Sequence, residues 1–435
     1  MHTSSKTKPS RVLITGNFHY PSGTAPASRV RNLAAGLAEA GFGVTVVAMA
    51  PFSRRGGKTD PLLHGHSEGV EYYLTGGSRI LGAIESAVSD EARMKVAVRS
   101  AVWLFIFYLT IVHTIVLVFR LFLRHRYVLL WGYGRHASQL LPLYGIAKIF
   151  RVRTFLDIVE TIEQFHGFGG RLSPIYWDWK IGLSLLPRMF DGLTVITHAL
   201  EGVYRKKGIR RIMVLPSLED FQNLPDISYA VGAKTKFNFV TMSSLIPRDN
   251  TELLKKLIRE IGKRFPAVEF HLVGRYERTS EGIKVATELA TSLETGRFVV
   301  LHGDLDDKMV RELFLIADAF LLTRRSDYIE ECAFPTRLVE YLRQGKPVFA
   351  SDVGDINKYL RDGEEIFLMR GEDSLTLAGE ILKVMESPMF FQSVGEKGRM
   401  KASMVFDRKL QARRLMDFVF EIGNCSHDNF SSLTY

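Results

Sequence analysis

At 435 residues the chain is too long to fold around one ordinary core, so a two-domain organisation is expected. Hydrophobic residues make up 46% and charged residues 24%, which excludes wholesale disorder and a polytopic membrane protein. A net charge of +10 favours anionic partners, while two cysteines, Cys332 and Cys425, exclude a disulfide framework and suit a reducing compartment.

The opening MHTSSKTKPS has no apolar h-region, so no cleavable signal peptide is expected, and residues 1–9 read as a flexible tail. Residues 11–15 (RVLIT) form an apolar run that ends at Gly16, followed by a loop with Pro21, Gly23 and Pro26. Val30, Leu33, Leu37 and Ala38 then recur at helical spacing, and Gly41 and Gly43 stop that helix before a second apolar run at 44–49. Strand, glycine-containing loop, helix and strand in this order open a βαβ unit. The loop GNFHYPSG contains no G-x-G-x-x-G, which argues against a dinucleotide-binding dehydrogenase.

Residues 101–119 (AVWLFIFYLTIVHTIVLVF) are almost continuously apolar and long enough to span a bilayer. Arg93, Lys95 and Arg99 precede the run and Arg120, Arg124 and Arg126 follow it, so charge gives no direction of crossing. A span would also separate strands that belong in one sheet. Two readings remain: a helix lying in the cytoplasmic leaflet with its cationic ends on anionic lipid, or a helix buried in the first domain. Trp103, Phe105, Phe107 and Tyr108 side by side make one-sided burial awkward and favour membrane contact.

Strand and helix patterns alternate again at 127–131, 140–150, 154–158 and 192–196, implying a parallel sheet. WGYGRHASQ puts Arg135 and His136 just past the first of these strands. FLDIVETIE puts Asp157 and Glu160 at the end of the next. Each is a candidate for contact with a substrate, Asp157 also for capping a helix. After a Pro- and Asp-containing boundary near 216–235, a second series has strands at 239–242, 269–273, 298–301, 319–322 and 347–350, separated by helices. The fold class is therefore α/β, with two doubly wound parallel-sheet domains. The basic residues are dispersed and match no recognition module, so nucleic acid is not an expected partner.

The stretch 317–368 carries the chemistry. In ADAFLLTRRSDYIEECAFPTRLVEYLRQGKPVFASDVGD a strand leads through an acidic loop to a helix opened by Pro335 at its first position, stopped at Gly345, and followed by a strand from Pro347. Arg337 falls in that helix's first turn, where a cation opposes the helix dipole unless an anion neutralises it. Helix starts at the carboxyl ends of parallel strands are ready anion sites, so Arg337 is a candidate diphosphate ligand. Glu340, one turn on, can accept hydrogen bonds from a ribose diol, although an i,i+3 ion pair between the two is the simpler explanation of the pair alone.

FPTRLVEYLRQGKPVFASDVGD resembles the donor-site signature of glycosyltransferase family 4 and related GT-B enzymes, in which a Pro-x-Lys/Arg-x-x-Glu helix precedes a Gly-Lys-Pro-Val strand. The resemblance extends to VTMSSLIPRDNTELLKKLI, FHLVGRYE and VLHGDLDDKMVRELFLIADAFLLT, and more thinly to GNFHYPSGTAPASRVRNLAAGLAEAGFGVTVV. It implies two facing Rossmann-like domains: an acceptor domain at 10–218, a nucleotide-sugar domain at 219–400, and a helix at 401–423 returning to the first domain before a tail at 424–435. It further implies transfer of a sugar from a UDP- or GDP-sugar, usually with retention, with no cofactor and no metal ligand.

Carried over position by position, the resemblance gives Glu340 the ribose-binding role and makes Arg337 and Arg248 diphosphate ligands. It sets Gly274 and Glu331 in the donor site, Glu331 with Glu330 standing in for a glutamate displaced by Cys332, and gives Gly23 and Arg29 a loop facing phosphate and acceptor. His136, Glu160 and Asp157 are the catalytic candidates. Ser244 and Asp249 occupy places where relatives commonly carry cations, which raises the alternative of a catalytically silent scaffold subunit. An epimerase or phosphorylase of the same fold would share the donor site but need no membrane helix. Together these features give the expectation of a peripheral enzyme on the cytoplasmic membrane face, acting on a lipid-linked or glycan acceptor in polysaccharide assembly.

Overall fold

The computed structural model describes residues 10–21, 23, 25–49, 63–76, 96–164, 170–224, 227, 236–371 and 373–428. The expected tail 1–9, residues 429–435, Arg93, Lys95 and the boundary stretches 225–226 and 228–235 lie outside them. The chain divides into two compact units, Met1–Leu218 with Arg408–Tyr435, and Glu219–Asp407.

In the first unit, β1 (Arg11–Gly16), α1 (Ala25–Glu39) and β2 (Gly43–Ala48) make the expected βαβ opening. After β3 (His64–Ser67), β4 (Val70–Leu74) and α2 (Val96–Arg124) come β5 (Tyr127–Tyr133), α3 (Ala137–Ile149), β6 (Arg153–Ile158), α4 (Pro174–Met189), β7 (Gly192–Val195), α5 (His198–Lys206) and β8 (Ile212–Val214). Eight strands join in the order β3-β4-β2-β1-β5-β6-β7-β8. Apolar strand residues such as Val12, Ile14, Trp131 and Phe155 are fully buried, because helices cover the sheet as parallel pairing requires. One edge departs from the expected parallel sheet: β3 runs antiparallel to β4 through a turn at Glu68 and Gly69. β3 reads HGHS and is largely exposed, so apolar periodicity could not announce it.

The apolar segment expected at 101–119 lies within α2, a longer helix. Its neighbours in sequence, β4 and β5, belong to one sheet, so the helix packs on its own unit. One-sided burial, which the clustered aromatics made awkward, is what the helix adopts. Ile106, Ile111, Val118, Leu121 and Phe122 are buried, while Phe105, Leu109, Val112, Val116 and Leu123 are exposed. Two of the three polar interruptions, Thr110 and Thr114, are buried while His113 is exposed: the threonines donate to carbonyls one turn back, and Thr114 Oγ1 lies 2.7 Å from Thr75 Oγ1 just past β4.

The second unit is a six-stranded parallel sheet in the order β11-β10-β9-β12-β13-β14, with β9 (Phe237–Met242), β10 (Val268–Val273), β11 (Val299–Gly303), β12 (Ala319–Leu322), β13 (Val348–Ser351) and β14 (Phe367–Met369). Its helices are α6 (Thr251–Arg264), α7 (Ser280–Thr291), α8 (Asp307–Ile316), α9 (Tyr328–Glu331), α10 (Thr336–Leu342), α11 (Ile356–Tyr359), α12 (Ser374–Met385) and α13 (Pro388–Phe406). α6 shows the local logic. Asn250 caps it by accepting from the Leu253 amide, and Leu253, Leu254, Leu257, Ile258 and Ile261 turn one apolar stripe onto Phe239 and Phe270.

The chain re-enters the first unit at Arg408, later than the 401 expected, because residues 388–406 run as one helix packed on α10. The last helix, α14 (Arg408–Asp428), packs on α1, so part of the expected tail is helical. The approach needs Gly36, where a Cβ would come within 2.3 Å of the Arg408 carbonyl oxygen. The Arg408 guanidinium closes the seam on Glu39 and Glu68, 2.7 Å from the latter.

Candidate functional site

In each unit the strand order reverses around a central strand, β1 in the first and β9 in the second. Ligands of open α/β sheets collect at the carboxyl ends of strands at such points. In the second unit the relevant ends are those of β9 and β12, and charged residues collect there. Arg248 lies in the loop after β9, Arg324 just past β12, and Arg337 on the first turn of α10.

Two carboxylates face them. Arg248 Nε lies 2.5 Å from Glu330, and Arg324 Nη1 lies 3.5 Å from Asp249 and 3.7 Å from Glu330. Arg337 Nη1 lies 3.8 Å from Asp249 and donates to the Met242 carbonyl. Three guanidinium groups against two carboxylates leave an excess of one positive charge. Arg324 is nearly buried, and its Nε makes no hydrogen bond among the described residues. Burial is the main cause depressing its pKa; Asp249 opposes this, and Arg337 and Arg248 add to it. Burial likewise raises the Glu330 pKa against the pull of Arg324 and Arg248. An anion placed here relieves like-charge repulsion in a partly desolvated pocket.

Asp249, which stands where relatives commonly carry a cation, folds its own loop. One carboxylate oxygen accepts from Ser243 Oγ at 2.7 Å and from the Ser244 amide at 2.9 Å; the other faces Arg324 and Arg337. It also serves as a counter-ion. Gly274 is required beside this loop: its φ is +153°, and a Cβ would strike the Ser243 carbonyl oxygen at 2.0 Å. Tyr341, stacked 4.5 Å from the Phe320 ring, receives the Met242 amide on its hydroxyl at 2.6 Å and anchors α10 beneath the cluster.

The structure thus brings Arg248, Arg337 and Gly274 together, with Glu340 half-buried one turn beyond Arg337. It shifts two expectations. Pro335 is the N-cap of α10 instead of its first helical residue, with no side-chain cap bond. Of the acidic pair, Glu330 is buried against the arginines, whereas Glu331 is exposed. Cys332 is buried and takes a packing position. Arg324 was missed by sequence reasoning, although LLTRRSD signalled it: a cation immediately past a buried strand lies at a carboxyl end.

In the first unit the corresponding strand ends are those of β1 and β5, and they hold Asn17 and His136. His136 Nδ1 lies 2.9 Å from Asp178 Oδ2, and Nε2 lies 3.4 Å from Asn17 Nδ2. With Asp178 accepting from Nδ1–H and Asn17 donating to Nε2, the ring is neutral with a lone pair at Nε2. Burial lowers the His136 pKa, with Asp178 opposing and Arg135 assisting. Asp178 also accepts from the Ser138 amide and hydroxyl, which fixes α4 to the start of α3. Arg135 is ion-paired with Glu160 and stacks 3.4 Å from the Trp179 ring centroid; burial pushes its pKa down to about 10.

Arg29 and Asp157 are corrected. Arg29 is 3% exposed and donates to both Asp157 oxygens, at 2.7 and 2.9 Å, and to the Pro216 and Leu215 carbonyls at 2.9 Å. Asp157, fully buried, also accepts from Thr194 Oγ1 at 2.7 Å. Both are spent on holding the first unit's core, and Asp157 caps no helix. Gly23 lies in the β1–α1 loop at φ +149°, where a Cβ would come within 2.9 Å of the His19 Cβ. Among the described residues, no group of three or more His, Cys, Asp or Glu side chains is arranged to hold a metal ion.

Residues 228–401, nearly all of the second unit, match the family model described as Glycosyl transferases group 1. These residues form a group 1 glycosyltransferase domain. The chain is accordingly a glycosyltransferase, and its two α/β units have the GT-B fold. The full chain is similar in fold to sucrose-phosphate synthase from Thermosynechococcus elongatus, at 14% identity and TM-score 0.68, covering 96% of this chain and 100% of that one. It is also similar to HepE from Anabaena solved with UDP, at 16% identity, TM-score 0.63 and coverage of 94% and 100%. A glycosyltransferase from Rickettsia africae aligns at 12% identity, TM-score 0.62 and coverage of 96% and 99%. The comparison with curated proteins found no match. The arginine cluster lies wholly inside the glycosyltransferase domain.

Proposed function

We propose that the enzyme transfers a sugar from a UDP- or GDP-sugar to a lipid-linked or glycan acceptor held at the cytoplasmic face of a membrane, in the assembly of a polysaccharide. The observation that carries the donor reading is the excess positive charge of Arg248, Arg324 and Arg337 at the β9/β12 strand ends, a place suited to a diphosphate. In this reading the three arginines hold the pyrophosphate and stabilise the charge that develops on it as the glycosidic bond breaks. Glu340 accepts the ribose hydroxyls. HepE, whose fold is similar, has been solved with UDP and with UDP-glucose, which supports a nucleotide-sugar of this class.

His136, neutral and aimed through Nε2, is placed in this reading to exchange its long contact with Asn17 for a hydrogen bond from the reacting sugar or the acceptor hydroxyl, with Arg135 and Glu160 beside it. Transfer with retention, in which the leaving phosphate takes the acceptor proton, needs no further protein base and no metal. The membrane reading rests on the exposed apolar face of α2 and the net charge of +10. Titration calorimetry with UDP-, GDP- and ADP-sugars tests the donor site: binding of one class with loss in Arg337→Ala supports it. Failure of all to bind would return the chain to the scaffold reading.

A further inference from the structure

α2 is not alone in showing apolar side chains to solvent. It packs on α3, and α3 packs on α4. On α4, Trp177, Ile181 and Leu185 follow at intervals of one turn and are 50%, 47% and 41% exposed. The opposite face of α4 is spent inward through Asp178, Gly182, Leu183 and Leu186. Gly182 allows the fit, since a Cβ there would lie 1.8 Å from the Arg135 carbonyl oxygen.

The amino-terminal halves of α2 and α4 meet at His136. The Phe107 ring centroid is 5.2 Å from that of His136 on one side, and the Trp179 ring is 5.9 Å away on the other. Tyr108, whose pKa is raised chiefly by burial, also feels the charge of Asp178. Exposed Phe105 and Tyr108 on α2 and Trp177 on α4 therefore belong to the region that surrounds the histidine.

Charge identifies the occupant. α2, α3 and α4 together contain one acidic residue, Asp178, and it is buried against His136. Arg120, Arg124 and Arg126 at the end of α2, Arg171 just before α4, and Lys180 and Arg188 on α4 are all exposed. Lys180 Nζ lies 4.7 Å from the centre of the Trp177 ring. Interfacial helices bring apolar side chains with tryptophan and tyrosine to the headgroup boundary, flanked by cations. A water-soluble acidic partner would meet the cations but leave the long apolar face of α2 unanswered.

We infer that α4 is a second membrane-contacting element, and that α2 and α4 together seat the first unit on an anionic phospholipid bilayer with His136 beside the surface. This rests on the membrane reading above and deepens it, because an acceptor anchored by its lipid then reaches His136 along the aromatic rim without leaving the bilayer.

The test is co-sedimentation of the full chain with vesicles of phosphatidylcholine and phosphatidylglycerol, and of phosphatidylcholine alone. The combined variant Trp177→Ser/Ile181→Ser/Leu185→Ser is expected to bind the anionic vesicles on the order of tenfold more weakly than wild type. Lys180→Glu/Arg188→Glu, which reverses two exposed charges and keeps the apolar row, is expected to weaken anionic binding by roughly tenfold and leave the neutral vesicles unaffected. A third variant, Phe105→Ser/Val112→Ser/Val116→Ser, reports on α2. If only this α2 variant loses binding, α4 has no part and the inference falls while the membrane reading stands. Wild type that ignores both vesicles overturns the two together. A wild-type dimer in sedimentation velocity that the α4 variant reduces to monomer would assign the face to a second copy of the chain and overturn the inference as well.

Discussion

The two units gather arginine at the strand ends of their sheets and use it in opposite ways. In the first unit Arg29 has four of its N–H groups bonded to fixed protein oxygens and sits beside a fully buried Asp157, so charge and donors are both satisfied. In the second unit Arg248, Arg324 and Arg337 share two carboxylates, Arg324 and Arg337 only at 3.5–3.8 Å, and the Arg324 Nε stays without a hydrogen bond among the described residues. The first arrangement is a closed clamp, and the second is the one proposed to receive a diphosphate. Partner count and geometry separate them, because a buried cation already matched by protein oxygens gains nothing from an added anion.

The largest effect expected is on the clamp. Arg29→Ala leaves Asp157 buried and uncompensated and should lower unfolding stability by about 3–5 kcal/mol, read from urea melts followed by circular dichroism. A loss below ~1 kcal/mol would show that the clamp is not closed and break the contrast.

Next in size, His136→Ala should reduce turnover by about a hundredfold or more while donor affinity is kept, measured with a radiolabelled donor and membrane acceptor. The pH dependence carries a sign. Burial holds the His136 pKa below 6.5, so turnover that needs the neutral ring persists below pH 6.5 and falls only as the folded-state value is crossed. His136, His271 and His302 are all depressed below 6.5, chiefly by burial, so the unfolded chain binds their protons more tightly. Their contribution to stability is full above about pH 6.5 and is lost as pH falls through the folded-state values.

Arg337→Ala should weaken binding of UDP-sugar by roughly 10- to 100-fold, the worth of one charge-assisted bond, yet leave stability within about 1 kcal/mol of wild type. That split between affinity and stability, reversed from Arg29, sharpens the comparison most directly. The smallest effect is expected at the exposed Lys255–Glu288 pair, 3.0 Å apart, where Glu288→Gln should leave the urea midpoint and donor binding unaltered.

Apart from Arg324, the loops and the helix start that carry the second unit's arginines were readable in the chain. Pro335, Arg337, Glu340 and Gly345 follow in an order that a short helix between two strands requires, and Arg248 and Gly274 sit in loops that follow apolar runs. The first unit was less readable. Arg29 looked like a loop cation, yet its side chain turns inward to Asp157, 128 positions away. Asp178 escaped notice because PIYWDWKIG reads as a helix face, and only the fold shows that its carboxylate meets His136. α2 looked like a choice between membrane and core, whereas it buries one apolar face and exposes another.

Alternation of apolar runs with helical stripes was enough to determine two α/β units with parallel sheets, since strands buried on both faces must be apolar throughout. The same local patterns located the loops at the carboxyl ends of β9 and β12. Which charges remain open to a ligand was decided by tertiary structure alone. Charge is a property of each residue, but its availability depends on partners that only folding brings near: Asp157 for Arg29, Asp178 for His136, and too few carboxylates for Arg248, Arg324 and Arg337.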